Sequence, residues 1–289
     1  MISNCISVDF EEWYQGLTST SVQYARWPTF ESRIERQTST LLETFQQYGI
    51  KATFFVVGEI ARLTPDVLRE IARHGHEIGL HGNRHQRVDK MSEIEFREDL
   101  ERNYEAVRAV VDTPIQGYRA AYTSVSDDTT WFWQALQDRG LSYDSSVFPV
   151  RTPLYGMPGA NPYPSVVGAG SGSLVEIPIT TVALGAKRLP FSGGVWFRNL
   201  AYSLVKRITA SKNRAGEPVV FYFHPWEFDP DHPRPSCTTA RERLSHYSGL
   251  KSAHTKLCRL LHDFEFQPMS DYASELKLNL QAPEGVRGP

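Results

Sequence analysis

Two histidines four residues apart, His81 and His85 in HEIGLHGNRHQ, follow directly on the apolar Ile78 and Leu80, with a glycine after the first of them. Four residues make one helical turn, so both imidazoles can face one point, and that point can hold a metal. Three further stretches end in groups able to do chemistry: SVDFEEW brings Asp9, Glu11 and Glu12, IQGYR ends in Arg119, and VVFYFH ends in His224. On a strand, residues 9 and 11 point to one side and 10 and 12 to the other, so Asp9 and Glu11 are the pair able to share a site. Two neutral imidazoles and one carboxylate leave a fourth position open to water, as in a catalytic zinc site, and the second carboxylate is then free to act as base. A His-x-x-x-His pair alone is a weak sign. Its weight comes from coincidence, because every one of these residues falls where an apolar run stops.

The elements that must position them alternate between strand and helix, the pattern of a parallel sheet built from right-handed βαβ units. CISVDF, KATFFVVG, HEIGL, IQGYRAAY, SYDSSVF, SLVEIPITTVA and EPVVFYFHPW read as strands. RIERQTSTLLETFQQYGI, TPDVLREIARHG, MSEIEFREDLERNYEAVRAVV and SDDTTWFWQALQDRG read as helices with start and stop signals, and RERLSHYSGLKSAHTKLCRLLHDF as one closing helix. Ligands in such architectures bind at the carboxyl ends of the strands, where the candidate residues lie. His74 and His76 precede or begin their strand and belong to the opposite end, as structural residues. Residues 149–173 are rich in Pro, Gly and Ser and form a long insertion after the fifth strand. The chain is expected to be a single catalytic domain over residues 1–275, with an insertion or lid and a basic helical region in 149–215 and a disordered tail over 276–289.

At 289 residues, 40% hydrophobic and 12% aromatic, the chain can bury a sizeable core. A net charge of -2 offers no footprint for nucleic acid. The three cysteines, Cys5, Cys237 and Cys258, are widely spaced and fit a reducing compartment. No leader-like apolar run opens the sequence and no transmembrane stretch is present, so a cytoplasmic protein is expected, at most at the inner face of the membrane. Between Lys187 and Arg214 there are seven basic and no acidic residues interleaved with aromatics. That stretch is either a solvated helix over the barrel or a peripheral contact with a membrane or a lipid-linked sugar. Trp13, Tyr14 and Trp226 flank the candidate motifs and can stack on sugar rings or simply pack.

HEIGLHGNRH resembles the second motif of the carbohydrate esterase family 4 polysaccharide deacetylases, the NodB-homology fold. SVDFEEW, YRAAY, YDSSVFP and VVFYFHPWEFDP resemble the first, third, fourth and fifth motifs, in the family's order, and the likeness runs from about residue 5 to residue 270. YDSSVFPVRTPLYGMP, RLPFSGGVWFR and YFHPWEFDPDHPRP are most similar to the subgroup associated with exopolysaccharide and exosortase loci. The resemblance implies a distorted (β/α)7 barrel. It implies Asp9 as general base, Glu11, His81 and His85 as metal ligands with Glu12 as the alternative to Glu11, and Arg119 holding Asp9. It further implies His224 as general acid tuned by Asp144, and Ala120, Tyr122 and Trp226 as oxyanion or substrate contacts. The implied cofactor is one divalent ion, zinc first, with cobalt, nickel or iron fitting the same ligands. The implied reaction removes the N-acetyl group of an amino sugar, in an exopolysaccharide or its lipid- or nucleotide-linked precursor. Its rivals are a deformylase, another hydrolase of non-peptide C–N bonds, and a catalytically silent carbohydrate-binding protein. Three positions depart from the family's usual pattern: Phe10 between Asp9 and Glu11, Ala121 for a proline, and Tyr222 for a leucine.

Overall fold

The computed structural model describes residues 2–152, 155–167, 174–185, 187–236 and 238–281. Its strands are β1 (Ser3–Phe10), β2 (Thr53–Val56), β3 (Glu77–Leu80), β4 (Gly117–Tyr118), β5 (Tyr143–Asp144), β6 (Ser165–Val167), β7 (Leu174–Glu176), β8 (Thr181–Leu184), β9 (Lys187–Pro190), β10 (Val220–Phe223) and β11 (Glu265–Gln267). All seven expected strands form, and they lie side by side in the order β10-β1-β2-β3-β4-β5-β7, each pair parallel. With helices between successive strands this is the expected α/β barrel, distorted because the sheet curls without closing. No ladder joins β7 to β10 among the described residues. Two hydrogen bonds span the gap instead, Val220 N–H to Thr180 Oγ1 at 2.9 Å and Tyr222 N–H to the Ser192 carbonyl at 3.1 Å.

Four local readings need correction. SLVEIPITTVA is two strands, β7 and β8, interrupted at Pro178, which has no N–H to give to a ladder. β8 leaves the main sheet and pairs antiparallel with β9, so the basic stretch opens as a hairpin arm before the helices Gly194–Asn199 and Tyr202–Arg214. The closing helix is broken into Ala240–Tyr247 and Leu250–Asp263 at Gly249, whose φ of 73° is left-handed and whose missing Cβ would stand 2.6 Å from the Arg198 carbonyl. The last helix, Met269–Gln281, runs through the first residues of the expected tail; 282–289 lie outside the described residues. The insertion contributes β6, antiparallel on the free edge of β7, while 153–154 and 168–173 are outside the described residues. No helix among the described residues is long and apolar enough to cross a membrane.

β1 is buried on both faces, as a strand between two parallel neighbours must be. Ile6, Val8 and Phe10 face the outer helices and pack with Ile34, Leu41 and Phe45. Cys5, Ser7 and Asp9 face inward, in layers that grow more polar toward the carboxyl end. The lowest layer is apolar, Cys5 with Val220 and Met269. The C-terminal helix plugs that end, since Met269 N–H donates to Thr53 Oγ1 at 2.8 Å and Ser270 N–H to Glu77 Oε2 at 3.0 Å. Arg119 fills the next layer, and the acidic groups lie above it.

Candidate active site

The two histidines meet, though not on a helix. β3 ends at Leu80 and the chain turns through Gly82, with φ of 75°, so that His85, itself at φ 52°, swings back beside His81 with ring centroids 5.0 Å apart. Neighbouring elements hold this loop by its polar backbone. His81 N–H donates to the Val56 carbonyl at 3.0 Å and to Asn103 Oδ1 at 3.1 Å, Asn83 N–H to Asp99 Oδ2 at 2.8 Å, and Glu59 N–H to the Asn83 carbonyl at 2.9 Å. His81 Nδ1 lies 2.7 Å from the Arg119 carbonyl, which can only accept, so the proton sits on Nδ1 and the Nε2 lone pair faces the site. Burial outweighs the nearby Asp9 and brings the His81 pKa down to about 4, which keeps the ring neutral.

Glu11 does not continue the strand. Its N–H turns back to the Asp9 carbonyl at 3.0 Å, and the side chain reaches the histidines from there. One ligand atom from each of Glu11, His81 and His85 lies within 4.8 Å of the others, and all three residues are buried. His85 Nε2 stands 2.6 Å from Glu11 Oε2, yet that oxygen accepts no hydrogen bond of acceptable geometry. An orphaned buried carboxylate oxygen beside two imidazoles, one with its lone pair fixed, is a donor set that fits a divalent cation. Burial would raise the Glu11 pKa, but the adjacent His85 and His224 more than offset it and bring it to about 2. Trp226 Nε1–H donates to Glu11 Oε1 at 3.0 Å and fixes the other end of the carboxylate.

Asp9 sits deeper. Arg119, fully buried, donates to Asp9 Oδ1 at 2.8 Å and to Ser7 Oγ at 2.7 Å, and its other nitrogens donate to the Ser145 carbonyl at 3.0 Å and to Ser145 Oγ at 2.9 Å. Burial pushes the Asp9 pKa up, and the guanidinium together with His81 and His224 more than reverses it, so the carboxylate stays ionised. His224 Nε2 lies 3.8 Å from both Asp9 Oδ2 and Glu11 Oε1. Burial would lower its pKa, but Glu11, Glu227 and Asp9 together lift it to about 9. Asp9, Glu11, His81, His85, Tyr122 and His224 all border one cavity, whose other wall includes Phe148, Tyr155, Tyr222, Trp226 and His246.

Three assignments change. Asp144 does not tune His224: its Oδ1 accepts from Ser146 Oγ at 2.6 Å, its charged neighbour is buried Glu176, and both carboxyl groups are held above the usual range by burial. The carboxylate at His224 is Glu227, with Nδ1 donating to its Oε1 at 2.5 Å. Ala120 is fully buried and gives its N–H to Ser146 Oγ at 2.8 Å, so that N–H is not free for an oxyanion. Glu12 points away from the cavity and accepts from Ser32 Oγ, Arg33 N–H and Ile34 N–H, anchoring the start of the helix Ile34–Tyr48; that removes it as an alternative ligand. Trp13 and Tyr14 pack in a satellite core with Trp27 and Tyr247, and Trp226 is sandwiched between His224, at 4.8 Å, and His246, at 3.9 Å. Tyr122 remains a cavity residue, at φ 56° with its ring 4.6 Å from His85 and its hydroxyl donating to the Gln15 carbonyl at 2.8 Å. His76 is buried at the far end, its Nδ1 accepting from Ala52 N–H at 3.1 Å. Glu227, Arg198 and Ser7 escaped the sequence reading. A carboxylate three residues after His224 was the available signal for the first.

Residues 23–143 match the polysaccharide deacetylase family model, and residues 145–274 match a domain of unknown function, DUF3473. A peptidoglycan-N-acetylglucosamine deacetylase from Bacillus cereus is 30% identical over 91 residues, 32% of this chain and 33% of that protein. A chitooligosaccharide deacetylase from Sinorhizobium fredii is 29% identical over 92 residues, 32% of this chain and 43% of that protein. The matched segments thus span well under half the length of these relatives. In three dimensions the chain resembles a putative polysaccharide deacetylase from Mycobacterium smegmatis with a TM-score of 0.62 at 22% identity, over 100% of this chain and 96% of that one. Residues 23–143 are therefore similar in sequence to polysaccharide deacetylases, and the chain as a whole shares the curled α/β fold of the Mycobacterium smegmatis protein.

Proposed function

We propose that the protein is a metal-dependent N-deacetylase acting on an amino sugar in a glycan. The observation that carries the reading is the meeting, in one cavity, of a Glu-His-His donor set with an Arg-held aspartate and a carboxylate-held histidine. Glu11, His81 and His85 would hold the cation, which supplies a Lewis acid for the amide oxygen and acidifies water. Asp9, ionised beside Arg119, takes a proton from the attacking water as its oxygen adds to the carbonyl carbon. His224, its Nδ1–H held by Glu227, gives a proton from Nε2 to the nitrogen as the C–N bond breaks. Acetate and a free amine leave.

The similarity of this chain to deacetylases of peptidoglycan and chitooligosaccharide supports an N-acetylated amino sugar as the substrate class. Within that class we infer an exopolysaccharide or its lipid- or nucleotide-linked precursor, on the motif blocks of the exopolysaccharide-associated subgroup, and zinc as the first metal. The free thiols of Cys5 and Cys258 suit a reducing compartment such as the cytoplasm. The test is metal content by elemental analysis beside acetate release from N-acetylated oligosaccharides. About one first-row metal per chain, lost in both His81→Ala and His85→Ala together with acetate release, is the expected result. A wild type that binds no metal even on reconstitution overturns the reading in favour of a sugar-binding protein. Formate release from N-formyl sugars, or opening of a cyclic amide, with no acetate would reassign the acyl group.

A further inference from the structure

The group that holds His224 lies outside the segment that matches the deacetylase model. Pro225 opens the single 3-10 turn Pro225–Phe228, which brings residue 227 back beneath residue 224. Glu227 is fully buried there, one oxygen accepting from His224 Nδ1 and the other, Oε2, 3.0 Å from Arg198 Nε. Arg198 is buried as well, and its remaining nitrogens donate to three backbone carbonyls around the end of the helix Ala240–Tyr247: His246 at 2.8 Å, Ser248 at 2.7 Å and Ser245 at 2.8 Å. A carboxylate hydrogen-bonded at one oxygen and ion-paired at the other resists rotation, and a guanidinium whose other nitrogens are tied to three carbonyls holds that counter-charge in place. A buried Arg–Glu pair is a poor investment for stability alone, since desolvating two charges costs about what their attraction returns.

From this geometry, and resting on the deacetylase reading above, we infer that Glu227 is the positioning residue for His224 and that Arg198 locks it. Glu227 keeps the proton on Nδ1 whether the ring is cationic or neutral. The proton that leaves is therefore always the one on Nε2, which faces Asp9 and Glu11. When the C–N bond breaks, the nitrogen takes that proton and the imidazole is left neutral with Nδ1–H still on Glu227. Solvent then returns a proton to Nε2.

The test compares Glu227→Gln with wild type on two substrates, an N-acetyl amino sugar, whose amine must be protonated to leave, and 4-nitrophenyl acetate, whose phenolate leaves without help. We expect kcat on the amide to fall by about 100-fold or more with KM little changed, and the ester rate to fall less than about threefold. Glu227→Asp should restore part of the amide rate. Because Glu227→Gln leaves Arg198 without its counter-charge, some protein will be unfolded, but a smaller folded fraction lowers both rates equally and cancels in their ratio. In parallel, proton NMR of 15N-histidine-labelled, metal-free protein should show a far-downfield Nδ1–H, assigned by its absence in His224→Ala, that Glu227→Gln abolishes. Equal losses on amide and ester, or a downfield proton unchanged in Glu227→Gln, overturns the assignment. A wild type that cleaves no amide while the proton behaves as expected removes the deacetylase reading and leaves the positioning role standing.

Discussion

Replacing Arg119 by methionine removes the positive charge that faces Asp9 and leaves a carboxylate that is only 5% exposed. Breaking a buried pair from one side costs about 3–5 kcal/mol. The structure argues for the lower end. His224, charged below about pH 9, stays 3.8 Å from Asp9 Oδ2 as a second counter-charge. The guanidinium carbon lies 4.4 Å from the centroid of the Phe55 ring, so an apolar side chain at position 119 faces an apolar neighbour. A loss of about 3 kcal/mol at pH 7 would lower the melting temperature by roughly 6 °C in a chain of this size. The sign with pH follows from the two groups. In the wild type the Asp9 pKa is depressed, so its stabilisation is present above the ordinary carboxylate value and is lost as pH falls through the folded one. In Arg119→Met, burial acts with less opposition and raises the Asp9 pKa. The gap between the two proteins therefore starts to open as pH rises through the depressed wild-type value, grows further above about pH 4 as the raised Asp9 of Arg119→Met resists ionisation, and widens again as His224 deprotonates near pH 9. Urea denaturation of metal-free protein at pH 4, 7 and 9.5 reads this directly. The Asp9→Asn/Arg119→Met double variant should recover about 2 kcal/mol relative to Arg119→Met, because no charge is then left uncompensated. A gap that does not change with pH, or a double variant as unstable as Arg119→Met, would refute the argument.

Two further outcomes separate neighbouring acids. Glu12→Ala should cost about 1–2 kcal/mol in urea denaturation, through the loss of its bonds at the start of the helix Ile34–Tyr48, while metal content stays at the wild-type level. Metal loss in Glu12→Ala would make Glu12 a ligand after all. Glu176→Gln should be more stable than wild type above pH 5, by a margin that grows with pH. Burial holds the Glu176 carboxyl far above its ordinary value, so the wild type loses stability as pH rises past that value, while an amide donates to Asp144 without a proton to lose. A melting temperature equally lowered at pH 5 and pH 8 would show that ionisation of the buried Glu176 carboxyl is not what costs the wild type stability.

The seven parallel strands and their order of chemistry were legible in the residues, because a strand buried on both faces must be an unbroken apolar run and because such runs end where ligands bind. Asp9, Glu11, His81, His85, Arg119 and His224 could be placed at strand ends for that reason. Two pairs of them meet by routes that regular geometry does not predict. His81 and His85 converge through left-handed backbone at Gly82 and His85 rather than through a helical turn, and Glu11 arrives through a reversal after Phe10 rather than by strand alternation. Alternation and helical period describe regular elements, and a site at strand ends is built from the irregular residues just beyond them. Partners distant in sequence were beyond local pattern altogether. Arg198 reaches Glu227, Ser146 claims the Ala120 N–H, and Asp144 turns to Glu176, each chosen by which buried polar groups the packed chain left nearest one another. Thus the sequence alone determined which side chains stand at the mouth of the sheet, because period and polarity are local properties. Only the tertiary structure decided which carboxylate each histidine and arginine holds, because a buried charge takes the partner that folding brings within reach.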